Sequence, residues 1–138
     1  AHAHFFWHKS IGLLAFAIIL GRLTWRLTTP MPDWPDELSK RQRRFARVLE
    51  RVLYVLMVSI PGIGIAMVWS RGEDLEFFAI FTVASPMSAN PSLGDVLLWI
   101  HRLLGWAILG LIALHIGFVL WNTLNRRMGL IFRMLGGG

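Results

Sequence analysis

The sequence predicts an all-α integral membrane protein, a helical bundle with three spans. Of its 138 residues, 55% are apolar and 16% are charged, whereas about a quarter of the residues in a soluble domain are charged. Three apolar runs are long enough to cross a bilayer core of about 30 Å. Histidines occur inside these runs, where ionisable side chains are rare and tend to be functional. Together these observations indicate a membrane protein with a buried site.

The predicted spans belong to a single domain and cover residues 5–27, 48–69 and 95–124 of the chain 1–138. Pro61 is expected to bend the second span, because proline removes a backbone hydrogen bond. A short amphipathic helix is expected to begin near Asp36 and Glu37 and to merge into this span. The stretch EFFAIFTV, between the second and third spans, is too short to cross. It is expected to lie at the interface or to cap the bundle.

Basic residues are concentrated on one side of the predicted spans, as in membrane proteins that follow the positive-inside rule. Eight basic residues lie between Arg22 and Arg51, and more follow in the C-terminal tail, whereas the loop 70–94 has one basic and three acidic residues. The positive-inside rule places the Arg-rich loop 28–47 and the tail in the cytoplasm. The net charge of +6 is thus accounted for without a nucleic-acid partner, and the bilayer is the expected surrounding.

The spacing of the histidines suggests a cofactor. His101 and His115 are fourteen residues apart, so they share a helix face and are separated by roughly 21 Å along the axis. In the predicted topology His8 lies at the depth of His101. Each begins the pattern His-x-x-x-Gly, with Gly12 and Gly105 one turn deeper. Two axial histidines and glycines that leave room for a flat macrocycle predict a haem between two helices. The alternative is histidines that hydrogen-bond helices together and glycines that permit close packing.

Three further residues belong to this prediction. His115 lies deeper, and no other histidine of the sequence reaches its level. It is therefore either structural or paired with a helix that the chain lacks. We favour the second, since the chain begins without methionine. Lys9 and Arg102 directly follow His8 and His101, where a cation would pair with haem propionates or attract an anion such as superoxide. Ordinary interfacial snorkelling explains both equally well.

The chain resembles the bacterial cytochrome b561 family over essentially its whole length. The resembling segments are WHKSIGLLAFAIILGRLTWRLTTPMPDWP, the Pro-Gly pair of SIPGIGI, and WIHRLLGWAILGLIALH. The family is a four-helix bundle of the bacterial inner membrane with two b-type haems, and its first helix is not found in this chain. The resemblance implies that His8 and His101 ligate the outer haem. It also implies that His115 ligates the inner haem with a partner from that first helix.

The resemblance further implies electron transfer between quinone and a second partner. Some members of the family oxidise superoxide and reduce quinone, so an oxidoreductase activity is one expectation. A haem-bearing subunit docked to a larger redox complex is the alternative within electron transfer. A haem-free structural membrane subunit is the alternative from another class. Hydrolytic or nicotinamide chemistry has no support, because the sequence contains no GxGxxG fingerprint, paired catalytic carboxylates or nucleophile triad.

Overall fold

The structure is a computed structural model that describes residues 2–30 and 39–135, with the side chains of residues 4–30 and 39–126. Within these residues it contains three long helices and one antiparallel hairpin of two strands. The elements are α1 (His2–Thr28), α2 (Lys40–Ser70), β1 (Leu75–Phe77), β2 (Phe81–Val83) and α3 (Pro91–Leu135).

All three helices contain a segment that is long and apolar enough to span a membrane. These segments are His4–Thr28, Lys40–Ser70 and Pro91–Arg126. The predicted all-α membrane bundle is therefore confirmed, and the chain is a multi-pass membrane protein. Large apolar side chains such as Leu103 and Trp106 are 69% and 75% exposed, as expected for groups that face lipid. The helices α2 and α3 are longer than the predicted spans.

The Arg-rich stretch before the second span is helical from Lys40 onwards and continuous with that span, which confirms the expected helix that merges into it. Ser39 and Gln42 form a capping box: the Gln42 N–H donates to Ser39 Oγ (3.2 Å), and the Ser39 N–H donates to Gln42 Oε1 (2.9 Å). This cap starts the helix at the basic run, whose straight side chains favour helix. The expected start near Asp36 and Glu37 lies outside the described residues.

The central helix is α2, which packs against both of the others. Leu49 and Leu53 of α2 are buried, and the rings of Phe45 and Phe118 join its first turns to the later part of α3 at a centroid distance of 5.3 Å. The helices α1 and α3 therefore run in one direction and α2 in the other. Within the described residues, no Cα atoms of α1 and α3 come within 8 Å of each other. A gap thus separates these two helices.

The stretch EFFAIFTV forms the hairpin, which caps the bundle at the end where α1 begins and α2 ends. Its register pairs Leu75 with Val83, Glu76 with Thr82 and Phe77 with Phe81. The N–H of Phe78 donates to Oγ of the fully buried Ser10 (3.0 Å), and the Phe78 ring lies 5.9 Å from that of Trp7. Capping was predicted but strands were not, because the run has neither alternating polarity nor an Asn-Gly turn.

The hairpin turn stores backbone strain. Phe78 and Ala79 have positive φ values of 44° and 56°, and the Ile80 N–H donates to the Phe77 carbonyl (2.8 Å). We expect Ala79→Gly to raise the free energy of unfolding by about 0.5–1 kcal/mol. Relief of the left-handed conformation, roughly 1–2 kcal/mol, exceeds the extra entropy cost of glycine, roughly 0.5–1 kcal/mol.

Thermal unfolding of the purified chain in detergent measures this effect. The control is Ala84→Gly, at an exposed residue of the same loop whose φ is not positive. It is expected to leave stability unchanged or lower it slightly. Equal loss of stability in both variants would contradict the strain at Ala79.

Candidate functional site

Two histidines from different helices meet near the capped end of the bundle. His8 of α1 and His101 of α3 have ring centroids 5.9 Å apart and ring planes at 89°. Since α1 and α3 do not approach each other closely, the two side chains reach towards each other across the gap between the helices. The structure therefore brings together the pair that the sequence places at one depth.

His101 is oriented by the backbone of α2. Its Nδ1 lies 3.0 Å from the carbonyl oxygen of Ile60. A carbonyl oxygen only accepts hydrogen bonds, so Nδ1 carries the proton and donates, and Nε2 keeps its lone pair. Histidines that bind metals commonly donate their other ring N–H to a carbonyl in this way. His101 is thus held in the tautomer that a metal ligand requires.

Gly64 gives the His101 ring its space. A Cβ atom at Gly64 would lie 3.1 Å from Cε1 and 3.4 Å from Nδ1 of His101, whereas a Cβ atom at Gly62 would meet nothing within 4 Å. The absence of a side chain at Gly64 therefore allows α2 to pack against the ring. Sequence reasoning missed Ile60 and Gly64. The glycine spacing in SIPGIGI was a signal, but the residue facing each glycine depends on the register of α2 against α3.

A cavity of about 140 Å³ lies beside the two rings. Besides the histidines, its lining includes Lys9 and Gly12 from α1, Ile65 and Val68 from α2, and Leu75 from β1. Val68 and Leu75 are buried, His101 is half-buried and His8 is exposed, so the hairpin and the end of α2 cover one side of the pair. The cavity is a mainly apolar site with two imidazoles and one cation.

The other predicted site residues have different positions. Gly12 lines the cavity, and an added Cβ atom there would meet nothing within 4 Å. Gly105 has the same open space but does not belong to the lining. Lys9 is half-buried in the lining, whereas Arg102 is exposed and outside it. His115 is exposed and, at 1.5 Å per residue, lies roughly 21 Å beyond His101. No described histidine side chain lies beside it.

The geometry of the pair fits a metal held between two histidines. Two imidazoles on opposite sides of one metal place their centroids about 6 Å apart, since each bond is about 2 Å long and each ring nitrogen is about 1 Å from its centroid. The observed 5.9 Å matches this separation. Clusters of three or more potential metal ligands do not occur among the described residues. The cavity is smaller than a porphyrin, so the described side chains would enclose only the centre of one.

Comparison of the sequence with those of known proteins identifies the family of the chain. The sequence pattern of the family described as prokaryotic cytochrome b561 matches residues 1–137. The chain is 27% identical to cytochrome b561 homolog 2 of Escherichia coli (strain K12), over 94% of this chain and 69% of that protein. It is 30% identical to the probable superoxide oxidase CybB of Yersinia pestis, over 88% of this chain and 72% of that protein. The chain therefore belongs to the prokaryotic cytochrome b561 family of electron-transferring membrane proteins.

Proposed function

We propose that the chain passes electrons through a b-type haem held by His8 and His101, taking them from superoxide at the capped end and delivering them to quinone. The observation that carries this proposal is the 5.9 Å histidine pair, in which His101 donates from Nδ1 and keeps Nε2 for a metal. When bound, a haem with two histidine ligands supplies reversible one-electron oxidation and reduction. The family membership supports the same chemistry.

The residues around the histidine pair would bind the haem and hold the His101 ring in place. His8 and His101 would hold the haem iron between them and leave no position on it for substrate, so electrons would enter and leave at the edge of the site. Ile60 and Gly64 hold the His101 ring at its position. The apolar lining, in which Val68 and Leu75 are buried, would tune the redox potential of such a site.

Superoxide is the proposed donor because a cation directly follows each histidine of the pair in the sequence. Lys9 is half-buried in the lining, and Arg102 is exposed directly after His101. Such charges attract a small anion and raise its rate of encounter. Two superoxide ions each lose one electron to become dioxygen, and the quinone takes up these two electrons and two protons to become quinol. The printed name of the Yersinia pestis relative, a probable superoxide oxidase, agrees with this choice.

The proposal extends to the opposite end of the bundle. His115, deeper along α3, is proposed as one ligand of a second haem. Its other ligand is not among the described side chains. The end that carries the basic start of α2 is proposed to face the cytoplasm, and the capped end to face outwards. The membrane is proposed to be the bacterial inner membrane.

The test uses the purified full chain in detergent, with superoxide generated in solution and a neutral quinol as the comparison reductant. Superoxide is expected to reduce the chain rapidly, and Lys9→Gln is expected to slow this reaction severalfold at low salt. The effect should shrink as salt is added, because screening weakens steering. Reduction by the neutral quinol should not change.

A docked redox protein is the second candidate donor. The exposed acidic side chains of Glu73, Asp74 and Glu76 around the hairpin favour it, since they would attract a basic partner and repel superoxide. A chain that the quinol reduces but superoxide does not would establish this alternative. A folded chain without haem, made with haem available, would leave only a structural role.

A further inference from the structure

A second and larger cavity lies towards the opposite end of the bundle, between the end of α1 and the segment 47–59 of α2. We propose that it binds one anionic phospholipid, with the phosphate on arginine side chains and an acyl chain along an apolar wall. Its volume is about 760 Å³, which suits a lipid-sized ligand. This proposal does not depend on the haem site or on the electron donor.

The rim of the cavity carries an excess of positive charge. Arg26, Arg47 and Arg51 line it together with one carboxylate, Glu50. Arg26 pairs with this carboxylate through two hydrogen bonds, from Nε to Oε1 at 3.0 Å and from Nη2 to Oε2 at 3.3 Å. Among the described lining residues, no further carboxylate offsets Arg47 and Arg51. Two guanidinium charges therefore remain for an anion, and guanidinium groups match phosphate geometry well.

The wall of the cavity is apolar and extends from the level of the rim deeper into the span. Leu23 and Leu27 contribute from α1, and Val55 and Val58 from α2. From Arg47 to Val58 the rise along α2 is about 16 Å, so the apolar wall extends well beyond the charged rim, and only Leu27 lies at the level of Arg26. Leu27 and Val55 are 78% and 63% exposed, which leaves them accessible to an acyl chain. The cavity has the polarity profile of a lipid, with a charged head and an apolar tail.

The charge balance favours an anionic lipid over a neutral ligand such as quinone. A neutral ring would leave both arginine charges without an anion, whereas a phosphodiester offsets one and hydrogen-bonds the other. Basic pockets between spans on the cytoplasmic side are known sites for anionic headgroups. Tyr54 also lines this cavity, and its hydroxyl accepts a hydrogen bond from Arg22 Nε at 3.2 Å.

The experiment is native mass spectrometry of the full chain in detergent, titrated with phosphatidylglycerol or with phosphatidylcholine of the same acyl chains. Phosphatidylglycerol is expected to bind more tightly. Arg51→Gln is expected to weaken its binding about fivefold, the typical effect of one basic residue near an anionic surface. Adding Arg47→Gln should extend the loss to about 25-fold if the two charges act independently. Phosphatidylcholine binding should not change.

The matched control is Arg41→Gln, which removes the same charge from the same helix. Arg41 is exposed and outside the lining, and at 100° per residue it lies about 120° around the helix from Arg47. It is expected to leave phosphatidylglycerol binding unchanged.

Three outcomes would overturn the proposal. The first is equal binding of the two lipids, and the second is an equal loss in the Arg41→Gln chain, which would indicate general surface charge. The third is displacement of phosphatidylglycerol by equimolar inorganic phosphate or by a neutral quinone. Displacement by inorganic phosphate would show that the cavity binds a free anion, and displacement by a neutral quinone would show that it binds quinone.

Discussion

A chain with His101→Ala is expected to contain one haem fewer than the wild type, and His8→Ala is expected to cause the same loss. The reason is that the proposed haem iron would need both imidazoles, whose centroids lie 5.9 Å apart. The double variant should lose no more than either single variant, because ligands that act on one metal are not additive. Pyridine-haem quantitation per chain, with the reduced-minus-oxidised spectrum, measures the effect.

His4→Ala is the matched control for these variants. His4 is exposed and lies one helical turn before His8, so it shares the helix and the residue type without belonging to the cavity lining. Its haem content should equal that of the wild type. Unchanged haem in both His8→Ala and His101→Ala, in chains that keep their helical circular dichroism, would contradict ligation by this pair.

The second large effect is expected from Gly64→Ala. The new methyl group would lie 3.1 Å from Cε1 of His101, so the ring must move and its hydrogen bond to Ile60 must lengthen. Overpacking of this kind costs about 1–3 kcal/mol. Haem affinity is therefore expected to fall by about tenfold to a hundredfold, since about 1.4 kcal/mol corresponds to a factor of ten.

Gly62→Ala separates this clash from the general effect of alanine. It adds the same methyl group two residues earlier in α2, where nothing lies within 4 Å. Both variants gain about 1 kcal/mol of helix propensity, so the difference between them isolates the contact with His101. Haem titration of the two apo chains measures it. Equal affinities would show that Gly64 does not determine the position of His101.

Much of the bundle could be predicted from the sequence, because a span is encoded by local composition. The three apolar runs, the position of Pro61 within α2 and the common depth of His8 and His101 all follow from residue spacing along single helices. The helix through the basic run and its continuity with the second span were also predictable, but its first described residue was not. The capping box of Ser39 and Gln42 sets the start of α2 at Lys40.

The features of the fold and site that could not be predicted depend on contacts between elements that are distant in the sequence. Pairing of Ile60 with His101 joins residues 41 positions apart, and it requires the register of α2 against α3. The hairpin is similar, since Ser10 accepts from the Phe78 N–H across 68 positions. No local pattern in EFFAIFTV indicates that Ser10 is the partner of this segment. The roles of Gly105, Arg102 and His115 stay predictions from the sequence pattern and from the family resemblance.

Electron paramagnetic resonance of the oxidised full chain, compared with His101→Ala, tests the central claim most directly. Two imidazole ligands fill both axial positions of the iron and leave no open one. The signal that disappears in the variant is therefore expected to be that of a low-spin, six-coordinate haem, and the corresponding reduced haem should not bind carbon monoxide. Loss of a high-spin signal, or carbon monoxide binding by that haem in the wild type, would contradict bis-histidine ligation and the assignment as an electron carrier.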